Sequence, residues 1–223
     1  MPYGVFFNRR DAGRKLAERL QKYRGPNTIV LAIPRGGVVV GYEVAKALGV
    51  PLDVLIPRKI GAPGQPELGI GAVGENGVSV LDRDTIAYLG VSEEYIKEEA
   101  ERQRREIERR WKVYRDNRPF PDIKGKTVIL VDDGIATGHT TMAAARVIRK
   151  RQPGKLVLAV PVAPADSLIR LRPEVDEIVV LETPEPFFAV GAWYEEFEQT
   201  TDEEVIELLR RAEEASSDYQ ADG

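Results

Sequence analysis

The stretch Thr127-Val128-Ile129-Leu130-Val131-Asp132-Asp133-Gly134-Ile135-Ala136-Thr137-Gly138-His139-Thr140-Thr141 constrains this chain more than any other. It opens as an unbroken apolar run rich in β-branched residues and stops at two adjacent carboxylates. Such a run, short and without alternation, predicts a strand covered on both faces, as in a parallel sheet. Met142, Ala143, Ala144, Ala145, Val147 and Ile148 then recur at helical spacing. The order is buried strand, acidic pair, turn, helix. In open parallel sheets ligands bind beyond the carboxyl ends of the strands, which is where the acids and the turn fall.

The chemistry of the turn follows from its place. The first N–H groups of a helix have no intrahelical partner and sit at its positive end. A turn leading into that end suits a phosphate dianion, with the Thr137, Thr140 and Thr141 hydroxyls as further donors. Gly138 allows close backbone approach. Asp132 and Asp133 repel a phosphate and call for sugar hydroxyls or Mg²⁺ instead. The stretch therefore describes a sugar-phosphate site. The plainer reading is a βα turn with an acidic helix cap, where Asp is common.

Val131 to Thr141 closely resembles the phosphoribosyl diphosphate (PRPP) binding motif of type I phosphoribosyltransferases: four apolar residues, two acids, a few variable residues, then Thr-Gly-X-Thr. The resemblance spans most of residues 1–200. It implies an α/β fold with a mainly parallel central sheet flanked by helices and a small hood. It also implies transfer of the 5-phosphoribosyl group from PRPP to a purine or pyrimidine base, with Mg²⁺ and release of pyrophosphate. Carried over by position, Ala136, Thr137, Gly138, His139, Thr140 and Thr141 would bind the 5′-phosphate. Asp132 and Asp133 would hold the ribose hydroxyls, stabilise positive charge on the ring and meet the metal directly or through water. The 6-oxopurine enzymes carry an acid just before the Thr-Gly pair. Ala136 stands there in this chain, which is closer to the adenine and orotate enzymes and leaves the base to be read elsewhere.

Ile33-Pro34-Arg35-Gly36-Gly37 also follows an apolar run. Read alone, it is either a second anion site, with backbone N–H groups and a guanidinium fork, or a tight turn that needs glycine. The resemblance implies pyrophosphate binding by Arg35, Gly36 and Gly37, with Arg58. Residues Arg58 to Pro66 mix glycine and proline without periodicity and predict a mobile loop. The resemblance makes it a flexible catalytic loop carrying Lys59, the alternative being an ordinary solvated loop; Glu67 is a candidate proton donor or acceptor for the base, the alternative being a surface Glu. Phe187, Phe188, Trp193, Tyr194 and Phe197 crowd the C-terminal part. Phe188, Trp193 and Tyr194 are base-stacking candidates; the alternative is a small core under a loop.

Elsewhere strands alternate with helices, which gives the α/β class without the motif. Helices are expected at Asp11–Tyr23, Val38–Leu48, Asp82–Leu89, Ala165–Leu171 (capped by Asp166 or a neighbour) and Asp202–Ala215. Strands are expected at Thr28–Ile33, Leu52–Ile56, Lys155–Val162 and Val175–Leu181. Gly74-Glu75-Asn76-Gly77 between Leu68–Val73 and Val78–Leu81 predicts a hairpin. Ser92 opens a long charged helix to about Asn117, with Ile96, Ala100, Ile107, Trp111 and Tyr114 as a narrow stripe that can lie on its own domain or on a partner. This gives one domain over 1–215, with a helical insertion at about 92–118, a hood from the N-terminal segment and about 182–200, and a flexible tail at 216–223.

A net charge of -4 and a pI near 5.3 argue against bulk nucleic-acid binding. With no cysteine, disulfides, thiol nucleophiles and cysteine metal sites are excluded. No run approaches membrane-spanning length, so a cytoplasmic location without membrane partners is expected. A homodimer stays open. So does a second function, a PRPP- or nucleotide-sensing regulator of the same fold with weakened catalysis. PRPP synthesis shares the motif but needs two similar halves, and the chain shows no repeat.

Overall fold

The computed structural model describes residues 5–116 and 118–221. Asn8 caps the first helix, α1 (Arg9–Arg19), by accepting from the Asp11 N–H, and a 3₁₀ turn at Gln21–Tyr23 follows. Strand β1 (Thr28–Ala32) is buried throughout and leads into α2 (Gly36–Leu48), which ends at Gly49 in the left-handed conformation. β2 (Leu52–Val54) completes this βαβ unit. A second, antiparallel sheet is formed by β3 (Arg58–Ala62), β4 (Gln65–Val73) and β5 (Ser79–Leu81). Next come α3 (Arg83–Leu89), capped by Asp82, and α4 (Glu93–Arg115), capped by Ser92. The chain then alternates through β6 (Thr127–Val131), α5 (His139–Lys150), β7 (Lys155–Val162), α6 (Ala165–Leu171), β8 (Glu177–Glu182) and α7 (Asp202–Ala221).

The central sheet runs β2-β1-β6-β7-β8 with every pairing parallel. From β1 the chain crosses through α2 to one side; from β6 it crosses through α5 to the other. β1 and β6 therefore flank the topological switch point. Their register is level, with Ala32 opposite Val131, so the two following turns lie side by side.

Strand alternation supplies a core on each face. Val30, Ile129, Val131, Val157 and Ala159 pack with Leu16, Leu20, Val40, Val44 and Leu48 of α1 and α2. Ile29, Leu31, Val128, Leu130, Leu156 and Leu158 pack with Ala144, Ala145, Val147 and Ile148 of α5. A third core joins the small sheet to α4 and α7 through Ile60, Ile70, Ile96, Ala100, Ile107, Tyr114, Val205 and Leu208. The stripe on α4 thus lies on its own domain. The helix is fastened at its end by Arg115, which pairs with Asp53 at 3.0 Å, donates to the Val54 carbonyl and lies against the Trp111 and Phe120 rings.

Several expectations change. Arg58 to Pro66 is the β3 strand, a turn at Gly64 (φ +70°) and the start of β4, because Ile60 and Ala62 are buried against the third core. Irregular register at Gly61 hides the alternation that would have marked a strand. Helix α6 has Pro164 at its N-cap and no side-chain cap, so Asp166 is a first-turn acid instead. Ile206 faces outward while Val205, Leu208 and Leu209 are buried. Helix α7 continues to Ala221 where a tail from residue 216 was expected; the tail's last residues, 222 and 223, lie outside the described residues, as does Asn117 at the expected end of α4.

Candidate active site

Asp132 and Asp133 leave the end of β6 and meet the turn after β1. Asp133 N–H donates to Asp132 Oδ1 at 2.8 Å, and Asp133 Oδ2 receives Arg9 Nε at 2.8 Å. Burial, and next the neighbouring Asp133 charge, push the Asp132 carboxyl well above the usual range. The pair thus calls for positive charge or hydroxyl donors. In the adjoining turn, where the Pro34–Arg35 peptide is cis, a Cβ on Gly36 would lie 2.1 Å from Asp133 Oδ2 and one on Gly37 3.0 Å from the Asp132 Cα. Only glycine lets these two turns touch.

The loop after the acids is held from outside. Gly138 (φ +86°) is the N-cap of α5. Ser167 Oγ donates to the Ala136 carbonyl at 2.5 Å and Arg170 Nη2 to the Thr137 carbonyl at 2.9 Å. Thr141 is buried. His139 sits with Nδ1 3.4 Å from Thr137 Oγ1 and Nε2 3.6 Å from Asp82 Oδ2, and burial lowers its pKa, which favours the neutral ring. Ser167 and Arg170 were not foreseen. They come from α6, after the strand next to β6, and only that adjacency signals them.

Above the turns, the β3–β4 hairpin and α4 close a cavity of about 770 Å³. Of the expected residues, Arg35, Gly36, Arg58, Lys59, Glu67, Asp132, Asp133 and Thr140 line it. Gly37, Ala136, Thr137, Gly138, His139 and Thr141 belong to the two turns without lining it. Lys59 Nζ lies 3.1 Å from the Glu67 carboxylate at the exposed rim. Arg58 Nε donates to Gln103 Oε1 at 3.0 Å, and Tyr95 Oη to the Gly61 carbonyl at 2.8 Å, so α4 holds the hairpin. Burial, the largest effect, lowers the Arg58 pKa.

The aromatic candidates lie elsewhere. Phe188 is 73% exposed, and Trp193 and Tyr194 belong to a satellite core with Phe6, Ala12 and Val162. Tyr194 instead donates to the Asp133 carbonyl at 2.5 Å and stacks on Phe197. Residues not foreseen are Arg9 and the α4 side chains Tyr95, Glu99, Arg102 and Gln103.

No group of three or more His, Asp or Glu able to hold a metal occurs among the described residues. Two adjacent carboxylates fit Mg²⁺ arriving on a diphosphate, since that ion takes one or two carboxylates and completes its shell with phosphate oxygens and water. No described helix is long and apolar enough to cross a membrane.

The model of the phosphoribosyl transferase domain matches residues 8–196. The chain belongs to that family. The match takes in both turns, the hairpin, α4 and the segment carrying Tyr194. A Mycobacterium tuberculosis protein named "Putative phosphoribosyl transferase MT0597" is 46% identical over 208 residues, 93% of this chain and 47% of its own length. The chain thus spans about half the length of the curated relatives it matches. The crystal structure of TT1426 from Thermus thermophilus is 45% identical with a TM-score of 0.77, over 92% of this chain and 98% of that one. A Neisseria gonorrhoeae hypothetical protein solved with bound ppGpp shares the fold at 14% identity and a TM-score of 0.50, over 84% of this chain and 87% of that one.

Proposed function

We propose that this phosphoribosyl transferase-family chain transfers the 5-phosphoribosyl group from PRPP to a ring nitrogen of a purine or pyrimidine base. The observation that carries this reading is the contact between the two turns at the switch point. A threonine-rich loop leading into a helix N-terminus and a glycine-built turn carrying Arg35 lie on either side of a half-buried acid pair.

In this reading Thr137 to Thr141 and the α5 N-terminus hold the 5′-phosphate. Asp132 and Asp133 accept the ribose hydroxyls and stabilise the positive charge that develops at C1. Arg35, Gly36, Gly37 and Arg58 hold the diphosphate, and Lys59 at the rim meets it as charge builds on the leaving oxygen. The C1–O bond breaks with its electron pair going to pyrophosphate, the ring nitrogen's pair forms C1–N, and Glu67 at the cavity mouth takes the proton. Bound at the acids, Mg²⁺ would supply charge neutralisation for the diphosphate. The hairpin and α4 exclude water from the cation-like centre.

The test is pyrophosphate release from labelled PRPP with Mg²⁺ across a panel of bases. Base-dependent release supports transfer; no release above the protein-free rate with any base counts against it. The Arg9–Asp133 pair favours one other reading, a PRPP-binding regulator, because it already neutralises one of the two acids. Such a protein would bind PRPP without base-dependent release.

A further inference from the structure

Tyr95, Glu99, Arg102 and Gln103 of α4 line the same cavity as Arg35 and Asp132. Three- and four-residue steps put them on one face of the helix. The helix carries many charges at its surface, but Glu99 is 8% exposed. Charged side chains are seldom buried that far without partners. Its Oε1 accepts from Gln103 Nε2 at 2.8 Å, and its Oε2 lies 3.2 Å from Arg102 Nη1. Gln103 turns its oxygen to Arg58, which fixes its nitrogen toward Glu99. The chain Arg58–Gln103–Glu99 therefore sets the carboxylate in one orientation at the cavity wall.

A carboxylate has about four lone-pair sites, and one neighbour on each oxygen leaves capacity for further donors. The other carboxylates of the cavity stand at the acid pair, assigned above to the ribose, or at the exposed rim. Asp133 pairs with Arg9, Asp132 accepts the Asp133 N–H, and Glu67 pairs with Lys59 at the rim. Among the described residues, Tyr95 is the aromatic side chain lining the cavity, and its hydroxyl is committed to the Gly61 carbonyl. Recognition there falls mainly to polar groups, and on the α4 wall, away from the acid pair, the enclosed acceptor-only group is Glu99.

We propose that Glu99 reads the acceptor, and that the acceptor is a heterocyclic base whose exocyclic amino group donates to it. This rests on the phosphoribosyl-transfer reading above. An amino N–H facing a carboxylate makes a charge-assisted hydrogen bond, whereas a keto oxygen in that place sets two acceptors against each other and leaves the keto oxygen without a donor there. Sites built around such a bond reject the analogue lacking it far more strongly than apolar pockets do.

The experiment uses the intact protein with labelled PRPP and Mg²⁺. It compares kcat/KM for adenine against hypoxanthine and cytosine against uracil. The wild type should prefer the amino member of at least one pair by about 100-fold or more. Glu99→Gln, whose amide can donate to a keto oxygen, should move that ratio by at least roughly 30-fold toward the oxo member. PRPP affinity by calorimetry should stay within about 3-fold, and Glu98→Gln, on the exposed side, should match wild type. If Glu99→Gln fails to fold, Glu99→Asp serves, and should keep the amino preference at lower kcat/KM. A wild-type preference for oxo bases, an unmoved ratio in Glu99→Gln, a lost preference in Glu99→Asp, or turnover of an oxo base with none of either amino base overturns this proposal alone; PRPP binding without turnover of any base overturns the transfer reading. Absence of PRPP binding overturns the transfer reading beneath it.

Discussion

Arg9 Nε reaches Asp133 Oδ2 at 2.8 Å across 124 residues of sequence. The same guanidinium donates through Nη1 to the Glu198 carbonyl at 2.6 Å and lies 3.9 Å over the Phe197 ring. One side chain thus joins the start of α1, the acid pair and the segment before α7. Arg9→Ala leaves a largely buried carboxylate unpaired and should cost about 3 kcal/mol. Thermal unfolding should show a midpoint lowered by roughly 6–12 °C for a chain of this size.

Gly36 is where the two turns touch. Gly36→Ala places a methyl 2.1 Å from Asp133 Oδ2 and 2.6 Å from Arg9 Nε. The acid pair must shift, so PRPP affinity should fall by about 30-fold or more, equivalent to roughly 2 kcal/mol. Calorimetry measures this. Gly125→Ala, with nothing near its added methyl but a φ of +72°, should cost stability and spare PRPP binding.

Tyr194 tests the reassignment of the aromatic cluster. Its hydroxyl donates to the Asp133 carbonyl, and it is 4% exposed. Burial, the largest effect, raises its pKa, so it remains a neutral donor. Tyr194→Phe should lower stability by about 1–2 kcal/mol through the unsatisfied carbonyl. Relative kcat/KM among bases should not change; a changed order would return the ring to base recognition.

One contribution to acid sensitivity should come from where β8 begins. Glu177 is drawn down to about 2, first by the Lys22 ammonium at 2.6 Å, then by the Tyr23 hydroxyl, with Lys155 at 3.2 Å contributing. Its folded pKa lies below its unfolded one. The stability it contributes is therefore present above about pH 4.5 and is lost as pH falls toward about 2. Glu177→Gln should flatten the denaturation-midpoint profile across that window and leave it parallel to wild type at neutral pH.

Local patterns in the sequence carried the strand, acids, loop and helix from Thr127 to Thr141, because each is decided within a few residues. The Asn76-Gly77 hairpin was equally local, with both residues at positive φ. The β3 strand was not legible, since its partner residues include glycines and its register slips at Gly61. Glu99 was hidden for a different reason. On a helix rich in Glu and Arg, a carboxylate facing a cavity has the same neighbours in sequence as one facing water. Arg9, Ser167 and Arg170 reach the site only through tertiary adjacency, which no local pattern encodes.

In the transfer reading, the turns at the β1–β6 switch point hold PRPP through the acid pair. Isothermal calorimetry of PRPP with Mg²⁺, on wild type and on Asp132→Asn/Asp133→Asn, tests it most directly. Saturable wild-type binding is expected, weakened by about 100-fold or more, roughly 2.7 kcal/mol, in a double variant that remains folded. No wild-type binding, or equal affinity in the folded variant, would contradict it.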